Sequence, residues 1–127
     1  MQGKHLYEYA VIRLVPKVER EEFFNVGIIL FSKRAKYIKA LYKVDENKLH
    51  LFSSELDRES LFANLHVFDK ICSGTKEGGP IAALDVPERF RWLTAVRSAS
   101  IQTSRPHLGF SDDLDQTLEI LFRELVL

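Results

Sequence analysis

The run Phe23-Phe24-Asn25-Val26-Gly27-Ile28-Ile29-Leu30-Phe31 decides how this chain is read. Apart from Asn25 and Gly27 it is apolar, β-branched and aromatic, and it has the length of a strand. An apolar run without alternation reads as a strand covered on both faces, although a buried helical segment would share that lack of alternation. Gly27 weighs against a helix and points to a bulge, or to close approach by another backbone or a ligand. The run is therefore taken as the central strand.

Working outward, Leu6–Val15 (LYEYAVIRLV) is rich in β-formers and is closed by Pro16. Its Arg13 is the odd polar member of the row Tyr7, Tyr9, Val11, Arg13, Val15. It is expected to snorkel at a strand end or to pair with a carboxylate such as Glu22. On the other side a basic turn, Ser32–Lys36, leads to Tyr37–Val44. This third strand carries Lys39 and Lys43 on one face, as an outer strand does to discourage edge pairing. Short connections between the three strands predict an antiparallel meander.

From Asp45 the period changes. Asp45–Phe52 fits one or two helical turns capped by Asp45. Leu56, Leu61, Phe62, Leu65, Phe68 and Cys72 recur at helical spacing between Ser54 and Gly74, which closes the helix. Ser73–Pro80 is expected to be a mobile glycine-rich loop. Asp85-Val-Pro-Glu88 opens a further helix that turns Phe90, Leu93 and Val96 inward. Residues 97–104 alternate as a fourth, more polar strand, and Arg105–Phe110 reads as a loop. Ser111, followed by Asp112, Asp113 and Asp115, is expected to cap a terminal helix carrying Leu114, Leu118, Leu121, Phe122 and Leu125. The whole is an α+β two-layer domain: a mostly antiparallel sheet of about four strands, with helices packed on one face.

The 127 residues make one domain, large enough to bury a core without disulfides or metal. Eighteen basic and eighteen acidic residues cancel, which argues against a nucleic-acid or anionic-membrane surface. Only the cluster Lys33, Arg34, Lys36, Lys39 supports DNA binding. The single cysteine, Cys72, excludes an internal disulfide and lies on the apolar side of its helix, where a small buried hydrophobe is expected. Met1–Glu8 has no apolar signal-peptide core and no window reaches membrane-helix length, so a cytoplasmic protein is expected.

The densest polar chemistry lies between Glu88 and His107. Arg97, Ser98, Ser100 and His107 are the candidate ligand-binding residues, with Arg89, Arg91 and Asn25 behind them. Forked arginines with neighbouring hydroxyls hold phosphates or carboxylates, and a loop histidine moves a proton near neutrality. Each also has a plainer role. Arg97 suits a helix C-terminus, Arg89 and Arg91 suit solvent, His107 suits a turn, and Asn25 suits a strand entrance. Gly78-Gly79-Pro80 lacks the lysine of a phosphate loop, and no paired histidines, C-x-x-C or G-x-S-x-G are present. No metal, cofactor or catalytic residue is expected.

Several of these stretches together resemble the DUF3037 family of uncharacterised bacterial proteins. They are Tyr7-x-Tyr-Ala-Val-Ile-Arg13, Glu22-Phe-x-Asn-Val-Gly-Ile-Ile-Leu-Phe31, Gly78-Gly-Pro-Ile81, Glu88-Arg-Phe-Arg-Trp-Leu93, Arg97-Ser98, Ile101-Gln-Thr-Ser104 and His107-x-Gly109. Val96 stands where the family more usually has proline. The resemblance implies a small bacterial cytoplasmic protein and, through the family's association with HipA-like kinases, a companion in a two-protein system. Two functions are therefore expected. The first is a non-enzymatic interaction module, partnering a HipA-like kinase or a second copy, with an exposed apolar-aromatic patch. The alternative is a small enzyme or binding domain for a phosphorylated or anionic ligand, built on residues 89–107.

Overall fold

The structure, a computed structural model, describes residues 4–15, 23–52, 58–95 and 100–127. The strands are β1 (His5–Leu14), β2 (Phe24–Ser32), β3 (Tyr37–Tyr42), β4 (Ile101–Thr103) and β5 (His107–Ser111). The helices are α1 (Glu46–Phe52), α2 (Arg58–Ser73), α3 (Val86–Leu93) and α4 (Leu114–Leu125), with a 3₁₀ segment over Lys76–Ala83. Every strand pairing is antiparallel. The α+β class and the β1–β2–β3 meander are thus as the sequence predicts.

The sheet runs β3-β2-β1-β4, and β5 also pairs with β1. β1 is long enough to hold β2 along one edge and two short strands in line along the other. β4 pairs with Ile12–Leu14, and β5 pairs with His5–Tyr9. Between them, Ser104, Arg105 and Pro106 face only Ala10 and Val11, a local excess of chain. Ser104 closes the gap. Its backbone N–H donates to the Val11 carbonyl at 2.8 Å, and its Oγ accepts the Val11 N–H at 2.8 Å. A buried hydroxyl thus replaces a missing ladder carbonyl.

β2 is an interior strand covered on both faces, though β1, paired along both edges, is the hub. Gly27 sits at a bulge: Ile12 pairs with Gly27 and Arg13 with Asn25, so Val26 has no partner of its own. A Cβ on Gly27 would meet the Leu41 carbonyl oxygen at 2.6 Å and Tyr42 Cβ at 2.8 Å. After the bulge the strand's parity is reversed. Phe24 and Val26 lie in the core beneath α2 and α3 together with Ile29 and Phe31, whereas Ile28 and Leu30 lie beneath α4.

The helices are not confined to one face. α2 and α3 pack Leu61, Leu65, Phe68, Ile71, Phe90 and Leu93 onto one side, and Phe90 stacks on Phe31 at 4.9 Å. α4 lays Leu114 and Leu118 on Val11, Ile28 and Leu30 from the other side. The layering is helix, sheet, helix instead of two layers. The cause is β2 itself: a strand apolar on both faces leaves an open apolar face unless a second helical layer covers it.

Other boundaries also move. Arg105–Phe110, expected as a loop, mostly enters β5 because β1 extends past β4 and offers an unpaired edge. Ser111 belongs to β5, and the cap of α4 is Asp113, whose carboxylate accepts the Gln116 N–H at 3.1 Å. Ser111 Oγ instead accepts the Asp113 N–H. Gly74 closes α2 with φ +71, as expected, but the glycine-rich stretch beyond it winds into the 3₁₀ segment, kinked at Gly79 (φ 73). Asp85 caps α3 by accepting the Glu88 N–H. Arg13 lies 4.2 Å from the Phe23 ring centroid as a cation–π pair. The expected partner Glu22 lies outside the described residues.

Gly27→Ala should destabilise the domain by about 2–3 kcal/mol, because the new methyl meets backbone and Cβ atoms that a packed sheet cannot withdraw. Urea unfolding checks this. An unchanged midpoint would mean that the β2–β3 pair is looser than the geometry allows.

Candidate functional site

The sequence-predicted site residues fall into separate settings. Arg97 and Ser98 lie outside the described residues. Ser100 uses its backbone, its carbonyl accepting the Val15 N–H at 2.7 Å at the end of the sheet. Arg89 reaches from α3 to the C-terminus of α2, where one of its terminal nitrogens donates to the carbonyls of Ile71 (2.9 Å) and Cys72 (3.1 Å). A cation on orphan helix carbonyls is favourable on charge and hydrogen bonding together. Arg91 is exposed on α3. Asn25 closes the other helical layer, its side-chain amide donating to the Leu125 carbonyl at 2.9 Å, near the end of α4. His107 opens β5 and rests on Tyr9, with ring centroids 5.1 Å apart. Arg89 and Asn25 therefore tie the two helical layers on opposite faces of the sheet, and His107 stands at its far edge.

Three of the residues that carry the family resemblance are explained in the same way. Gly27 admits β3, Ser104 repairs the β1 ladder, and Gly109 makes room for Tyr7, whose ring atoms would lie 2.4 Å from a Cβ there. These are requirements of the fold.

A different surface stands out as the candidate functional site. In β1, alternation places Leu6 and Glu8 on the same face as Ala10 and Ile12, the face that α2 and α3 cover further along. Register sets Leu6 beside Phe110 and Glu8 beside Leu108. The helical layer stops short of this corner: Leu6 is 49% exposed, Phe110 69% and Leu108 71%. Lys4, Lys33 and Arg34 stand around a cleft floored by Leu6 and Phe110, with a volume of about 690 Å³. None of these described lining residues is acidic; Glu8 lies at the inner border, beside Leu108. The corner is thus an apolar floor with a cationic rim. The local sequence predicts a loop at Leu108 and Phe110, which hides their adjacency to Leu6. The one available signal was a pair of large apolar residues flanking a glycine in a stretch with no helical period to bury them.

A second cleft, of about 230 Å³, lies where α2, α3 and β4 meet and is lined by Val67, Phe68, Trp92, Gln102 and Thr103 among others. Among the described residues there is no group of three or more metal-ligating side chains, and no helix is long and apolar enough to cross a membrane.

Three groups away from these surfaces have perturbed acidities. Burial pushes the Cys72 thiol up to about 12; the Asp69 carboxylate adds to the rise, and the Arg89 guanidinium opposes it. Burial raises the Tyr37 phenol, helped by its 2.6 Å hydrogen bond to Asp115. Burial likewise raises the Tyr42 phenol, helped by a 2.6 Å bond to Asp69. The partly buried Cys72 is therefore held in its protonated, weakly reactive form near neutral pH. All three folded-state values exceed the unfolded ones, so the folded chain binds these protons more tightly. Their contribution to stability is complete well below about pH 8.5, the midpoint at which an unfolded thiol titrates. It is lost as pH rises through the folded values. Urea midpoints should be level in this respect well below that pH and fall above it, and Cys72→Ala should remove the part of the fall that begins below pH 10. At pH 8 the native thiol should resist iodoacetamide while the urea-unfolded chain reacts readily.

The family model described as protein of unknown function (DUF3037) matches residues 9–126, nearly the whole chain, and the chain belongs to that family. No curated protein and no solved structure gives a match.

Proposed function

We propose that this DUF3037 protein is a non-enzymatic interaction module that engages a protein partner through the apolar corner at Leu6, Leu108 and Phe110. The observation that carries this reading is the exposure of two large apolar side chains on one short strand, at 71% and 69%, next to a third in register on β1. Single exposed apolar residues are ordinary on a monomer, whereas a contiguous patch of them with a polar rim marks a contact surface. Such a surface takes most of its binding energy from aromatic and aliphatic anchors that become fully desolvated, with Phe110 as the anchor here.

The rim specifies the partner's chemistry. Lys4, Lys33 and Arg34 border the floor without a lining carboxylate, so the complementary surface is apolar with acidic residues along one side. The resemblance to a family that accompanies HipA-like kinases makes such a kinase the first partner to try. Against the anion-binding alternative, Arg89 and Asn25 are committed to helix ends on opposite faces of the sheet.

The test is capture of a tagged chain from its native cell, wild type against Leu108→Glu/Phe110→Glu. Because both side chains are largely exposed, circular dichroism and thermal midpoint should stay close to wild type. A stoichiometric partner recovered with wild type should be lost with the double variant, and Lys33→Glu/Arg34→Glu should weaken its capture about tenfold or more, with salt weakening the wild type in the same direction. Equal recovery with the double variant would overturn the assignment of this corner.

A further inference from the structure

The same corner contains a second feature that the docking reading does not use: the outer edge of β5. β5 pairs with β1 along one edge, and among the described residues no strand pairs with the other. An open edge is ordinarily protected by lysine, proline, an inward charge or a covering element. His107-Leu-Gly-Phe-Ser111 has no Lys, Arg, Asp, Glu or Pro within it, and its two large side chains are exposed. The outer strand at the opposite side of the sheet, β3, does carry a lysine, Lys39. The contrast between the two edges is one of composition.

We infer that this edge pairs with the same edge of a second copy, β5 to β5 and antiparallel, with Gly109 at the two-fold axis. The strand is self-complementary about that glycine. An antiparallel pairing centred there sets Leu108 opposite Phe110 of the second copy and Phe110 opposite its Leu108, and sets His107 opposite Ser111. No like charges meet, because the strand bears no Lys, Arg, Asp or Glu. The pleat excludes odd slips, and a slip of two that sets Leu108 opposite itself would leave Phe110 opposite Pro106, keeping one pair of large apolar residues instead of two. A slip of one residue would set Leu108 and Phe110 against residues that point to the opposite face, losing both apolar pairs. Gly109 suits the axis, since its side of the strand is already occupied by the Tyr7 ring of its own chain.

The pairing extends the sheet across the two-fold without covering its face. The exposed side chains Leu6, Phe110 and Leu108 of one protomer then continue into those of its partner as one apolar strip, with Lys4, Lys33 and Arg34 toward each end. Dimerisation thus enlarges the docking corner and doubles it. It would not depend on the identity of any other partner.

Sedimentation of the purified chain over a concentration series tests this, with a cross-link to fix the register. Wild type should pass from 14.7 kDa to twice that mass as concentration rises. Leu108→Lys should shift the midpoint to about tenfold higher concentration or more, through like charges placed near the axis. In a Cys72→Ala background, Leu108→Cys and Phe110→Cys chains mixed under glutathione should form the mixed disulfide. Each alone should form little, since residues diagonal across the axis lie about 7–8 Å apart, beyond disulfide reach. A chain that stays monomeric at its highest soluble concentration overturns the inference. So does a dimer indifferent to Leu108→Lys, or single variants that cross-link as well as the mixture. The two readings fail separately: a monomeric chain whose partner capture still requires Phe110 removes the dimer and leaves the docking corner standing, whereas a dimer whose partner capture is indifferent to Leu108 and Phe110 removes the docking corner and leaves the dimer.

Discussion

The bulge at Val26 and Gly27 is the constraint on which the rest of the structure depends. It sets two neighbouring residues of β2 toward the same face, so alternate positions change cores across it: Phe24 and Val26 lie beneath α2 and α3, Ile28 and Leu30 beneath α4. Before the bulge, Asn25 faces α4 and bonds near its C-terminus; beyond it, Ile28 and Leu30 hold the start of α4, while Ile29 and Phe31 turn to α2 and α3. Without the extra residue the pattern would slip by one and exchange the two faces over half the strand. Gly27 makes this possible because β3 approaches too closely to admit a Cβ.

β1 supplies the second half of the design. Its length exceeds that of β4, and the remainder of its edge recruits β5. The join between the two short strands is held by Ser104, and the helix ends on the two faces are held by Arg89 and Asn25. Polar residues in this chain thus largely repair places where backbone groups lack regular partners, and each substitutes for a missing main-chain bond. The densest polar segment owes part of its composition to such repairs, which is why a sequence rich in arginine and hydroxyls did not have to be a binding site.

Where the helical layer ends, the sheet does not. Leu6, Leu108 and Phe110 continue the face that buries Ala10 and Ile12, but no described helix lies over them. A protein of this size leaves many apolar atoms in water, yet side chains this exposed, adjacent and in register form an apolar surface continuous with the core. The surrounding cations add selectivity and speed to association more than strength. In the proposed reading this continuity makes the corner useful, since a partner completes a layer that the chain leaves unfinished.

By itself the sequence determined the local elements. The apolar run around Gly27 specified an interior strand with a close backbone approach. The lysines of Tyr37–Val44 specified an outer strand, and Asp45, Gly74 and Asp85 marked helix ends that the structure confirms. These signals are legible because they depend on backbone conformation and periodicity within a few residues. Only the tertiary structure decided which face each helix covers, since amphipathicity shows that α4 must bury a stripe but not against which side of the sheet. It also decided that His107–Ser111 is a strand, because a short edge strand owes its existence to a distant partner's unpaired backbone. The commitments of Arg89, Asn25 and Ser104 were hidden for the same reason: each answers a backbone group that lies far along the chain.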